Sequence, residues 1–211
     1  VASGVHHSQG AGSAGRNAVS VVRVHPESIH NYASHAQESF GSVRTSLEQL
    51  VNDIVNVRYF GPNATDFKTR CGEMAADFAN RLSQDLGAIA EAVRVSTSNI
   101  AASLGGQPIV IEVNGSPITP PAPPAGDGAV DVDVSGLENL RSPVQQRFES
   151  INAQFDDHLR RLQGTDWVGA AKDSAVSAVS GFTSSAKAKA TEAQSAITKY
   201  IDDQINSVLA A

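Results

Sequence analysis

The residues of this chain with the most specific chemistry are few: His25, His30 and His35, the acidic pairs Asp156-Asp157 and Asp202-Asp203, the single Cys71 and the single Trp167. A metal site on a helix wants histidines four apart, on one face. Spacing of five scatters these three around the helix, and His6-His7 near the start lack further ligands. Adjacent carboxylates on a helix point about 100° apart, so the acidic pairs read as solvated faces and not as an acid and base aimed at one substrate. Cys71 falls on an apolar stripe, which makes it a packed thiol. No glycine-rich phosphate loop, nucleophile elbow or paired metal-ligand motif is present. The chain reads as a non-enzyme that takes no cofactor and no metal. What remains is Asp166-Trp167-Val168-Gly169, an aromatic followed by glycine between two segments of helical pattern.

Composition points to helices that meet along narrow seams. Of 211 residues 41% are hydrophobic but only 5% aromatic, so alanine, valine and serine carry much of the packing. Net charge is −6, and the 16 Lys and Arg are dispersed, so no basic stripe suits phosphates and nucleic acid is not expected as a partner. One cysteine excludes an intrachain disulfide and a cysteine-rich zinc site. No run approaches the roughly 18 apolar residues of a membrane-spanning helix, and no basic-then-apolar signal peptide is evident.

Along the chain, Val1 to Ala18 is a Gly/Ser/Ala-rich arm, read as flexible or ordered on a partner. Val19 to Val24 is β-branched and suits an extended segment, and His25-Pro26 opens a helix. Apolar residues then step by three and four through Ile29, Tyr32, Ala36, Phe40, Val43, Leu47, Leu50, Ile54 and Val57. Arg58 to Asn63, with Gly61 and Pro62, interrupts the period. A second stripe runs from Ala64 through Phe67, Cys71, Met74, Phe78, Leu82, Leu86, Ile89, Val93 and Ile100 to Leu104, where Gly105-Gly106 stops it. Residues 107–134 change character: a β-like run with an Asn-Gly turn predicts a short hairpin over Ile109 to Ile118, and the prolines after it predict an extended linker. A third stripe uses Leu137, Leu140, Val144, Phe148, Ile151, Phe155, Leu159 and Leu162, with Ser142-Pro143 as a restart or bend. Asp166 is read as the cap of the last helix, whose stripe runs from Val168 through Ala175, Val179, Phe182, Ala186, Ala190, Ile197 and Tyr200 to Val208.

The expected organisation is therefore an arm over 1–23, a helical hairpin over 24–106, a linker over 107–134 and a second hairpin over 135–211. The halves share a plan: extended lead, helix of about 30 residues, turn with glycine, helix of about 40. Gly61 and Gly169 lie 108 positions apart, and the aromatic two before each is Tyr59 or Trp167. The fold class expected is all-α, two antiparallel hairpins forming an elongated four-helix bundle.

Trp167-Val168-Gly169 between two amphipathic helices, in a unit of family length, resembles the WXG100 family of small proteins exported by type VII secretion systems. Tyr59-Phe60-Gly61 resembles the same turn with Tyr in place of Trp. The resemblance implies a tandem fusion of two such units from an actinobacterial cell. It also implies a turn and secretion role for Tyr59, Gly61, Trp167 and Gly169, and a secreted or surface location without a classical signal peptide. The family also uses a Tyr-x-x-x-Asp/Glu tail signal. Here Tyr200 is followed by acids two and three residues on, with Asp203 the last, so this is a degenerate form and the signal is expected on a separate partner.

The function expected is protein binding, with the secretion machinery, a WXG100-like partner or a second copy as partners. The competing expectation is a self-assembling subunit of a filament, shell or pore. Membrane contact ranks behind both, because Ala170 to Ala196 is amphipathic but polar for an interfacial anchor.

Overall fold

The computed structural model describes residues 23–60, 63–103, 105–107, 109–113, 115–125 and 134–210. The arm Val1 to Ala18, the lead Val19 to Val22 and Gly61 lie outside the described residues.

Four helices dominate: α1 over Pro26–Val55, α2 over Ala64–Ser103, α3 over Val134–Gln163 and α4 over Ala170–Leu209. Two-residue strands precede α1 (β1, Arg23–Val24) and α4 (β2, Trp167–Val168). Pro26 opens α1 as expected, because a first-turn residue needs no amide hydrogen. At the end of α2 the Gly106 and Gly105 amides close back onto the Ala101 and Ala102 carbonyls at 2.7 and 3.1 Å, the paired bonds of a glycine-terminated helix. Pro143 does not restart α3; it sits inside one continuous helix.

The all-α bundle expected from the stripes is the fold observed. Helix α1 packs on α2 and α3, and α4 packs on the same two. The hairpins lie antiparallel. β1 pairs with β2, with Val24 opposite Trp167, which sets the start of α1 against the second turn. At the other end Gly136, near the start of α3, meets Arg58 of the first turn so closely that a Cβ there would lie 2.0 Å from the Arg58 carbonyl oxygen. A single hydrophobic cluster draws on all four helices and on Ile109, Ile111 and Ile118 of the linker.

The linker departs from the sequence reading. Among its described residues none is in a strand, and the only sheet among the described residues is β1 with β2. The expected hairpin at Ile109 to Ile118 is replaced by an extended strap along the α1/α2 groove. The apolar side chains that read as strand alternation are buried against helices, and side chains of α1 and α2 take the main-chain bonds.

The repeat is sharper in the structure than in the sequence. Helices α1 and α3 are each 30 residues, and α3 begins at Val134 against Pro26, an offset of 108. All eight buried positions of α3 have a buried counterpart in α1 at that offset, from Leu137 on Ile29 to Leu162 on Ile54. For α2 and α4 the core register is instead 104, with Ala175 on Cys71, Val179 on Ala75, Ala190 on Leu86 and Ile197 on Val93. The change from 108 to 104 makes the first connection longer by about one helical turn.

Candidate functional site

Both sequence-singled turns close with the same three backbone bonds. In the first, Asn56 donates to the Asn52 carbonyl (2.9 Å), Val57 to Ile54 (3.4 Å) and Tyr59 to Val57 (2.8 Å). In the second, 108 residues on, Gly164 donates to Arg160 (3.0 Å), Thr165 to Leu162 (3.3 Å) and Trp167 to Thr165 (2.9 Å). The last bond in each set spans two residues and turns the chain sharply, which drives the aromatic inward. Tyr59 and Trp167 are 2% and 1% exposed.

Around Trp167 the second turn is tied to the other hairpin. His25 donates its amide to the Asp166 carbonyl (3.1 Å), and the Asp166 amide donates to Ser28 Oγ (2.9 Å). The Asp166 carboxylate faces His25 Nε2 at 3.4 Å and Arg23 at 4.0 Å, both exposed. Asp166 is therefore not the cap of α4. That place falls to Gly169, three residues later, because β2 intervenes. Gly169 has φ 134, a backbone conformation that penalises any Cβ, and its carbonyl receives the Lys172 and Asp173 amides. Lys172 Nζ donates to the carbonyls of Gln163 and Thr165, answering the unpaired end of α3 with a cation. The Trp167 indole Nε1 is buried and has no hydrogen-bond partner among the described residues.

Around Tyr59 the first turn meets the end of α4. Gln204 Nε2 donates to the Tyr59 hydroxyl at 2.6 Å. The Tyr59 ring stands edge-on to Phe67, which in turn stacks on Tyr200 with centroids 5.5 Å apart. Lys68 holds its ammonium 4.9 Å above the Phe60 ring. The structure thus brings two residues of separate sequence motifs, Tyr59 and Tyr200, to one end through a shared Phe67. Asp203 is not part of that contact; it is exposed and paired with Lys199. Burial against this cluster pushes the Tyr200 hydroxyl up from its ordinary value.

The remaining chemical candidates are dispersed. His35 faces Glu38 at 3.5 Å in solvent, and His30 is exposed. Asp156 pairs with Lys187, Asp157 with Arg160 and Arg161, and Asp202 with Arg141. Burial pushes the Cys71 thiol up to about 12, away from the reactive thiolate. Among the described residues no three His, Cys, Asp or Glu side chains cluster as metal ligands, and no helix is long and apolar enough to cross a membrane.

Sequence reading missed His158. It is 3% exposed, between α3 and α1, with Nε2 3.2 Å from the Tyr32 hydroxyl and its ring 4.9 Å from that of Phe40. Burial lowers its pKa to about 4, with Asp157 pulling the other way, and burial raises that of Tyr32. The apolar stripe in the sequence runs through its neighbour Leu159, which is only partly buried. In α4 Thr183 and Ile201 hold core positions next to the expected Phe182 and Tyr200, and Val168 is half exposed.

Fold and turns together define the chain as an internally repeated, all-α helical-hairpin protein with a buried aromatic at each turn. Comparison with family models, with curated proteins and with solved structures finds no match to it.

Proposed function

We propose that this chain is a fused pair of WXG100-like hairpins, exported by a type VII-like system and acting by binding other proteins. The observation that carries the reading is the repeated turn. A buried aromatic bonded back to the residue two before it occurs at positions 108 apart, and in the second copy Gly169 follows Trp167 with φ 134. Covalent linkage keeps the halves at one-to-one stoichiometry and high effective concentration. Tyr200 and Asp203 lie within α4, with Tyr200 turned onto Phe67, so in this reading the tail signal for export belongs to a partner.

The test is expression in a host with and without the secretion apparatus, followed by assay of the medium. The chain should reach the medium only with the apparatus, and Trp167→Phe should remain folded while export falls. Equal amounts of chain outside both hosts would sink the proposal. Solution size addresses the competing reading, since one or two 22.0 kDa chains fit a binding protein and a large homogeneous particle fits a self-assembling subunit.

A further inference from the structure

The strap over residues 109–113 and 115–125 is held in the α1/α2 groove by the chemistry with which proteins recognise extended peptides. Asn80 Nδ2 donates to the Ile118 carbonyl (3.0 Å) while Asn80 Oδ1 accepts the Ile118 amide (2.7 Å), so one side-chain amide stands in for a neighbouring strand. The Ser98 hydroxyl does the same for Ile109, at 3.2 and 3.3 Å. Gln37 Oε1 accepts the Glu112 amide (2.7 Å), and Arg44 donates to the Ser116 carbonyl (2.8 Å). These bonds all go to the main chain of the strap. Selectivity falls instead on three buried side chains, Ile109, Ile111 and Ile118, while Val110 between the first two is 66% exposed. Main-chain bonds for affinity and alternate pockets for choice are the division of labour in strand-type peptide binding.

Two further observations set this groove apart from an ordinary packed core. Beside the Pro117 to Pro121 stretch an open depression of about 220 Å³ runs along α1, lined there by Arg44, Glu48, Val51 and Asn52, so the strap's edge stays accessible. The repeat also supplies a control. The corresponding face of the second hairpin carries the ion pairs Arg141–Asp202 and Lys187–Asp156 between α3 and α4. Where α1 has the buried Val51 and Val55, α3 has Leu159, partly buried, and the exposed Gln163. One end of the groove floor is thus apolar in the first hairpin, at Val55, and polar in the second, at Gln163.

We propose that the α1/α2 groove is a binding site for extended protein segments, with residues 109–113 and 115–121 as its tethered occupant. A partner segment with β-branched residues two apart and a third just ahead of prolines displaces the strap and takes its place. This deepens the reading of the chain as a binding protein and is independent of how it is exported.

The test uses the full chain and a synthetic peptide of residues 107–121, read by hydrogen exchange at the Glu112 and Ile118 amides. Tethering gives the strap an effective concentration in the millimolar range, so the free copy at about 1 mM competes on equal terms. Exchange at both amides should then rise to within about twofold of the unprotected rate, with the helices unchanged and a scrambled peptide without effect. Ile111→Ser, which removes one of the strap's three buried side chains, should respond at roughly tenfold lower peptide. Strap amides unmoved by the peptide in the unsubstituted chain overturn the proposal, whether or not the Ile111 variant folds. Exchange that rises equally along all four helices overturns it as well, because the strap would then be inseparable from the core. Neither result bears on export, so the two readings fail separately.

Discussion

The two ends of the bundle have the same backbone and different chemistry. At the first turn the buried aromatic is a tyrosine whose hydroxyl is satisfied by Gln204. At the second it is a tryptophan whose Nε1 has no partner among the described residues, and the residue in the register of Gln204, 104 positions earlier, is Ile100, with no polar side-chain atom. One layer further in, the contrast reverses. The trp end holds the polar pair Tyr32–His158, whereas the equivalent positions at the tyr end, 108 away, are Leu140 and Leu50. Shape is therefore specified by spacing and turn hydrogen bonds, and polarity within that shape is free to drift.

The comparison is tested most strongly by deleting the aromatics. Trp167→Ala should cost about 3 to 5 kcal/mol, the range for a large buried aromatic, because the indole fills the corner between β1, β2 and the helix ends. Tyr59→Ala should cost a similar amount through its contact with Phe67 and the loss of Gln204's partner. Chemical denaturation measures both. A loss below about 1 kcal/mol at either site would mean that the turn aromatic is not a structural keystone.

Through His158, acid should act at the Trp167 end. The folded pKa of His158, about 4, lies below the value near 6.5 of an unfolded histidine, so the unfolded chain binds more protons in that interval. Stability is then fully present above about pH 6.5, falls as pH drops and levels below about pH 4. The loss attached to this group is about 3 kcal/mol, since each pKa unit is worth roughly 1.4. The paired substitution Tyr32→Leu with His158→Leu copies the other end and should remove that part of the pH dependence. It should be near neutral at pH 7, because both polar partners leave together. His158→Leu alone should cost more at pH 7, through the stranded Tyr32 hydroxyl. If the double variant keeps the full acid slope, carboxylates elsewhere set it.

Helix positions were legible because the period of three and four is maintained in α1 and broken by residues that cannot continue it, at Gly105-Gly106 and at Gly164. Every residue of the α1 stripe is buried, but the helix ends at Val55, before Val57, and Ala33, Val51 and Val55 add a buried flank that the stripe leaves out. In α4 alanine is spread around the helix, so neighbouring positions compete, and Thr183 and Ile201 share a seam drawn through Phe182 and Tyr200. His158 was passed over because an adjacent leucine satisfied the pattern, and the partner that lets a histidine be buried, Tyr32, lies 126 residues away. The strap was misread for a related reason. Alternating isoleucines signal an extended chain but do not say whether its bonds go to a strand or to Asn80 and Ser98. The aromatic-glycine turn was the most legible part of the candidate site, since a tight corner limits which residues fit.

Gly169 tests that corner directly. At φ 134 an alanine is strained whatever space surrounds it, so Gly169→Ala should cost about 1 to 3 kcal/mol. Thermal unfolding would register this as a lowered midpoint, and an unchanged midpoint would mean that the turn relaxes to a conformation open to side chains.

The smallest expected effect is the most discriminating between the ends. Tyr59→Phe removes one hydroxyl that accepts from Gln204 and should cost about 1 kcal/mol, the net value of a hydrogen bond of this kind. In a Gln204→Leu background the same change should cost nothing further, giving a coupling of about that size in a double-mutant cycle. Trp167→Phe loses no hydrogen bond, since Nε1 has none to lose, and its cost should come from volume alone. The cycle therefore predicts coupling between aromatic and α4 at the first turn, and none between Trp167 and Ile100 of α2 beyond what apolar contact supplies. Equal coupling at both ends would mean that apolar contact alone ties each aromatic to its neighbouring helix and that the Tyr59–Gln204 hydrogen bond adds nothing measurable.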